Sequence, residues 1–117
     1  MAGFSREGYC IRDVPCRIEF PGVGVFETQE WGLRGFKLAM AEPLLSLETP
    51  IQVELGLKGE NPQKIRLSAV RLPAIEDDVF LYFNFSGLRA PEWFILLSLV
   101  VSAQTISFLE QDKHSGN

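Results

Sequence analysis

Histidine, cysteine and basic charge are scarce in this sequence of 117 residues, and each scarcity removes a class of function. The single histidine, His114, stands in a polar stretch near the C-terminus, so neither a Ser/His/Asp nor a Cys/His arrangement is expected to form around it. The two cysteines, Cys10 and Cys16, lie six apart, which matches no paired metal-ligand spacing. They read as small buried thiols of a reducing compartment. Lysine and arginine number 11 against 15 aspartates and glutamates, for a net charge of −4. No general basic field exists to attract a nucleic acid polymer, and any anion site must be built locally from a few arginines. The N-terminal "MAGFSREGYC" has no apolar core of signal-peptide length and carries Glu7, so a cytoplasmic location is expected. "GLRGFK" has neither the spacing nor the Lys-Ser/Thr ending of a nucleotide-triphosphate loop. Glu76, Asp77 and Asp78 cluster in a turn without a basic or buried neighbour, and read as a solvated acidic loop. The expectation is a protein with no catalytic residues, no metal and no cofactor.

What is present is a clear period-2 pattern. With 46% hydrophobic residues, the chain has enough apolar material for one domain with its own core. Ile51, Val53, Leu55 and Leu57 share one face of "IQVELGL", with Gln52, Glu54, Gly56 and Lys58 opposite. "KIRLSA" repeats this, as do "CRIEF" and "GFKLAM". Strict alternation predicts half-buried strands with one face on a core. "VFLYFNF", residues 79–85, is apolar on both faces except at Asn84, which predicts a central strand covered on both sides. "PGVG" at 21–24, "KGENPQ" at 58–63 and "PAIEDD" at 73–78 supply turn residues, and their shortness favours antiparallel hairpins. The longer connection "AEPLLSLETP", 41–50, keeps three leucines and is expected to lie across one barrel mouth.

After Gly87 the pattern changes to that of a helix. "APEWFILLSLVVSAQTISFLEQDK" opens with a proline and a glutamate and closes with a lysine, as the two ends of a helix favour. From Trp93 to Leu109 there is no charge, but Ser98, Ser102, Gln104, Thr105 and Ser107 interrupt the apolar run, which argues against a membrane span of ~20 mostly apolar residues. Apolar side chains point around the whole first half, more than one small barrel can cover. Trp93, Phe94, Leu97, Val101 and Phe108 are therefore expected to form a surface for a protein partner or a homo-oligomer. The predicted architecture is mainly β: a six-stranded antiparallel barrel with a C-terminal helix. It forms a single domain over 1–117, with a core of about 6–110 and a polar tail at 111–117.

The order "IRDVPCRIEF", "EWGLRGFKLAM", a leucine-containing connection, "IQVELGL", "KIRLSAVRL", "VFLYFNFSGL" and a closing helix resembles a PilZ domain over nearly the whole chain. The resemblance implies a six-stranded antiparallel barrel, and many such domains are bacterial receptors for cyclic di-GMP. The family's ligand motifs are two arginines four apart before the first strand and a later Asp/Asn-x-Ser-x-x-Gly. Arginine forks hold phosphates and stack on guanine, and the short carboxylate or amide accepts from a guanine edge. Here Arg12 stands where the second arginine belongs, but the position four before it is Gly8, and the nearest upstream arginine is Arg6. Arg17 falls within the strand pattern, opposite Ile18. In "EWGLRG", Glu30 replaces the Asp/Asn, Gly32 replaces the serine, and only Gly35 matches. Two or three lost hydrogen bonds to a charged ligand, at ~1.5–3 kcal/mol each, weaken binding by roughly 10²–10⁶-fold.

Two functions follow from the resemblance. The first is a divergent PilZ domain acting as a protein-interaction adaptor in motility, pilus or second-messenger signalling, without strong cyclic di-GMP binding. The alternative is a cyclic di-GMP receptor with a rearranged site using Arg6, Arg12, Arg17, Glu30, Gly32, Arg34 and Gly35. On the first reading, "EWGLRG" is a hairpin bend, Trp31 packs over the barrel rim and Arg34 faces solvent. On the second, Trp31 stacks on a base and Arg34 reaches a phosphate.

Overall fold

The computed structural model describes residues 11–57, 64–73 and 79–115, the last six of these by their backbone alone. The turn at 58–63, the acidic group Glu76–Asp78, and Arg6, Gly8 and Cys10 lie outside the described residues. Seven strands form one antiparallel sheet: β1 (Cys16–Phe20), β2 (Gly24–Glu27), β3 (Glu30–Trp31), β4 (Gly35–Ala39), β5 (Ile51–Leu57), β6 (Lys64–Arg71) and β7 (Phe80–Ser86). A short helix α1 (Glu42–Leu45) lies between β4 and β5, and a long helix α2 (Ala90–Ser115) ends the chain.

The sheet order is β2-β1-β5-β6-β7-β4-β3, so its two edge strands are neighbours in sequence. Only Thr28 and Gln29 separate them. The Thr28 amide donates to the Cys16 carbonyl on the β1 side (3.0 Å), and the Gln29 amide donates to the Lys37 carbonyl on the β4 side (2.7 Å). Adjacent residues of one strand point their amides to opposite flanks. Residues 24–31 thus act as one bent strand that joins the two edges, and the sheet closes on itself. The expected count of six becomes seven because this strand changes partners midway, its first half pairing with β1 and its last two residues with β4.

The alternating sequence places Cys16, Ile18 and Phe20 of β1 inside, together with Val53 and Leu55 of β5 and Ile65, Leu67 and Ala69 of β6. Phe20, Phe36 and Phe83 meet in the core with ring centroids 5.0–6.3 Å apart, edge-on or stacked. In β7, the consecutive residues Leu81, Tyr82 and Phe83 are all buried, as a strand covered on both sides requires. The turn after β1 is type II: the Val23 amide donates to the Phe20 carbonyl (2.8 Å), Pro21 fixes the first corner, and Gly22 takes φ +79° at the second.

The connection 41–50 is more structured than the sequence implied. Its helix α1 drops Leu44 into the core, while Arg71 on β6 donates through Nη1 to the carbonyls of Leu44 and Leu45, both at 2.7 Å. That guanidinium takes the Leu45 carbonyl at the helix's C-terminal end and adds a second donor to that of Leu44, which also accepts from the Leu47 amide at 3.4 Å. Helix α2 buries Leu96, Leu99, Val100 and Ala103, spaced as one helical stripe, against the barrel. It runs to Ser115, so 111–115 continue the helix.

Candidate functional site

The stretch "EWGLRG" is the β3–β4 hairpin. Glu30 pairs with Lys37 and Trp31 with Phe36, and the Gly32 amide closes the turn on the Gly35 carbonyl at 3.0 Å. The far edge of β3 is taken by the segment before β1. Ile11 and Trp31 exchange both backbone hydrogen bonds (3.0 and 3.1 Å), and the Trp31 indole N–H donates to the Val14 carbonyl at 2.7 Å. The fold therefore brings Arg12 against the hairpin, as a ligand motif split between these two segments requires.

What the fold brings together, it also pairs: two cations share one carboxylate. Arg12 Nε and Lys37 Nζ both lie 3.3 Å from the same oxygen, Oε2 of Glu30. The Lys37 side chain is only 15% exposed, and its ammonium sits 4.2 Å from the centroid of the Phe80 ring and 5.8 Å from that of Tyr82. The Glu30–Lys37 pair is therefore partly desolvated and supported by cation–π attraction. The Arg12 side chain is 71% exposed, so its ion pair contributes only ~0–1 kcal/mol. Glu30 stands where the family pattern has the short carboxylate or amide. A guanine edge would compete there with two cations already in place.

The remaining positions are shaped by packing. Trp31 is fully buried, with no face open for a base. A Cβ at Gly35 would overlap the Phe83 carbonyl oxygen on β7, so the one residue that matches the family motif is required by the closeness of β4 to β7. Gly32 is buried as well. Arg34 is exposed, and its carbonyl accepts from the Phe85 amide at 2.7 Å. Arg17 stands apart, exposed on β1 in register with Glu27 and Gly56. Of the candidate residues described, Arg12 meets Glu30 directly, Gly32, Arg34 and Gly35 belong to the same hairpin as Glu30, and Arg17 pairs instead across β1 with Glu27 and Gly56.

Two participants were missed in the sequence. Lys37 shows in the sequence only as the outward residue of a strand, yet a two-residue turn at Leu33 and Arg34 puts it opposite Glu30. Asp13 accepts from the Ser107 hydroxyl of α2 at 2.9 Å, tying the helix to the segment that carries Arg12. A cleft of about 250 Å³ lies between them, lined by Ile11, Arg12 and Asp13 on one side and Ala103, Gln104, Ser107 and Phe108 on the other. It is smaller than the ~300–1,000 Å³ pockets that engulf drug-sized ligands. Among the described residues, no group of three His, Cys, Asp or Glu side chains could hold a metal ion. Cys16 is a buried free thiol whose pKa burial pushes far above the ordinary range.

The five residues expected to form a partner surface are all exposed, from 38% at Leu97 to 68% at Phe108. By length and composition, Ala90–Leu109 is also apolar enough to cross a membrane, with a mean hydropathy of 1.6. The same is true of core helices of soluble proteins, and this one has its buried stripe on the barrel.

No protein-family model matches the chain, and no curated protein matches it. Among solved structures, it is similar to the crystal structure of the PilZ domain of CeSA from a cellulose-synthesising bacterium. The TM-score is 0.53 at 17% identity, covering 78% of this chain and 92% of that one. At this identity the likeness is one of architecture, and it agrees with the closed antiparallel sheet and trailing helix described above. This chain has the fold of a PilZ domain.

Proposed function

We propose that this is a divergent PilZ domain serving as a non-enzymatic, cytoplasmic protein-interaction adaptor in a bacterial motility, pilus or second-messenger pathway, without strong binding of cyclic di-GMP. One observation carries the reading: the Glu30 carboxylate, at the motif's Asp/Asn position, is held by Arg12 and Lys37 through a single oxygen. The carboxylate that a guanine edge would need is thus already shared by two cations. The motif serine is Gly32, which has no hydroxyl to offer, and Trp31 is closed off in the core. The apolar face of α2 then becomes the feature through which the domain acts.

A second reading, a receptor with a rearranged site, rests on the exposure of Arg12 and of Arg34 on the hairpin it meets. A nuclear magnetic resonance titration separates the two. The adaptor reading predicts that the amide signals of residues 30–35 stay in place as cyclic di-GMP is added, in the wild type and in Arg12→Ala alike. Shifts in the wild type that vanish in Arg12→Ala would establish the receptor.

A further inference from the structure

We propose that the exposed face of α2 pairs with the same face of a second copy of this chain, as a short parallel, in-register helix pair. The proposal deepens the adaptor reading by naming what the helix binds first. The buried stripe of α2 (Leu96, Leu99, Val100 and Ala103) faces the barrel, and a second, exposed stripe runs along its flank. Phe94, Leu97, Val101, Gln104 and Phe108 are spaced by three, four, three and four residues, the repeat that keeps a seam facing a partner helix. All five are exposed, Phe94 by 67% and Phe108 by 68%.

Area, charge and polarity point to a copy. A whole aromatic side chain covers ~150–250 Å². With exposures of 38–68%, the four apolar side chains of the seam present on the order of 500 Å² per helix, roughly 1,000 Å² over the pair, the size of a weak interface that forms at tens to hundreds of micromolar. No charge stands between Trp93 and Leu109, so two identical faces meet without repulsion. A membrane-surface helix would carry lysine and arginine along its polar face, and this stretch has none. The hydroxyls beside the seam are already engaged: Thr105 donates to the Val101 carbonyl at 2.9 Å and Ser107 to Asp13.

Gln104 sets the direction. Its amide both donates and accepts, so in a parallel, in-register pair it meets its own copy and both are satisfied. In an antiparallel pair, the seam would oppose it to an apolar residue and strand a polar group, the kind of penalty by which one polar seam residue fixes register. The buried stripe keeps the barrel off the Phe94–Val101 part of the seam, while Gln104 and Phe108 also border the cleft beside Ile11, Arg12 and Asp13.

The test is the mass of the full chain by multi-angle light scattering, without nucleotide, at tens to hundreds of micromolar. The proposal predicts about 26 kDa, twice the 13.1 kDa chain. Leu97→Glu should return it to monomer mass with its thermal unfolding still cooperative. In a Cys10→Ser background, Val101→Cys should give a covalent dimer on mild oxidation, and Ile95→Cys, exposed but off the seam, should not. A wild-type monomer throughout that range overturns the proposal, as does equal cross-linking at 95 and 101. Binding to anionic phospholipid vesicles by a chain that stays monomeric also overturns it, in favour of a membrane. A dimer that binds cyclic di-GMP would overturn only the adaptor reading, and a monomer that binds none would overturn only the dimer.

Discussion

At the residue scale, the site is decided by side-chain length and by backbone contact. Glu30 is long enough to reach both Arg12 and Lys37, and Gly35 is small enough to let β4 close on β7. Gly35→Ala should therefore destabilise the fold by at least the ~1–3 kcal/mol of an overpacked core, seen as a lower urea midpoint. Cys16 gives a pH prediction. Burial raises its thiol pKa above the ordinary 9.0, so on alkalinisation the unfolded chain loses this proton first. The contribution of Cys16 to stability is thus constant below about pH 9 and falls above it, which urea unfolding at stepped pH will show against Cys16→Ala. In a Cys10→Ser background, the native thiol should stay silent to a thiol reagent until the protein unfolds. Much of this was legible in the sequence: Glu30 and Gly32 were visible as departures from the motif, and Cys16 as an inward residue of "CRIEF". The third partner, Lys37, was not, because a strand residue's cross-strand neighbour depends on where the turn falls.

At the element scale, β1, β4, β5 and β6 were readable because one-sided burial imposes alternation, and β7 because its run is apolar on both faces. The four-residue β2 was not, since it follows directly on the "PGVG" turn, which takes in its first residue, Gly24. The two-residue β3 had no period to detect; it exists because Ile11 and β4 pair with its two edges. Helix α1 was hidden for a related reason. Four residues with a proline carry no helical signal, and Arg71 supplies from another element what the helix lacks. The start of α2 was foreseen, and its atoms show why. The Arg89 amide donates to Glu92 Oε1 at 2.8 Å, and the Arg89 carbonyl accepts from the Trp93 amide at 2.8 Å. This is the return half of a capping box. Glu92→Ala should cost ~0.5–2 kcal/mol, a measurable drop in the urea midpoint without a change in the β-sheet spectrum.

At the scale of the whole molecule, two faces carry the account: a barrel end where one carboxylate is shared by two cations, and a helix with more apolar surface than its barrel covers. A 26-residue helix is about 39 Å long, while the side chains it buries fully span only Leu96–Ala103. That excess was legible from composition, since no one-sided pattern runs through "WFILLSLVV". Which stripe stays free was not, because it depends on how the barrel presents β5 and β6 to the helix. The sharing of Glu30 by Arg12 and Lys37 was equally out of reach, since it needs residues 12, 30 and 37 placed in space. The central claim, that this PilZ fold has lost its nucleotide chemistry, is tested most directly by isothermal titration of the purified chain with cyclic di-GMP at near-physiological salt. The account predicts no saturable heat at hundreds of micromolar nucleotide. Saturable binding at low micromolar concentration would contradict it, and would mean that Arg12 leaves Glu30 when a phosphate is offered.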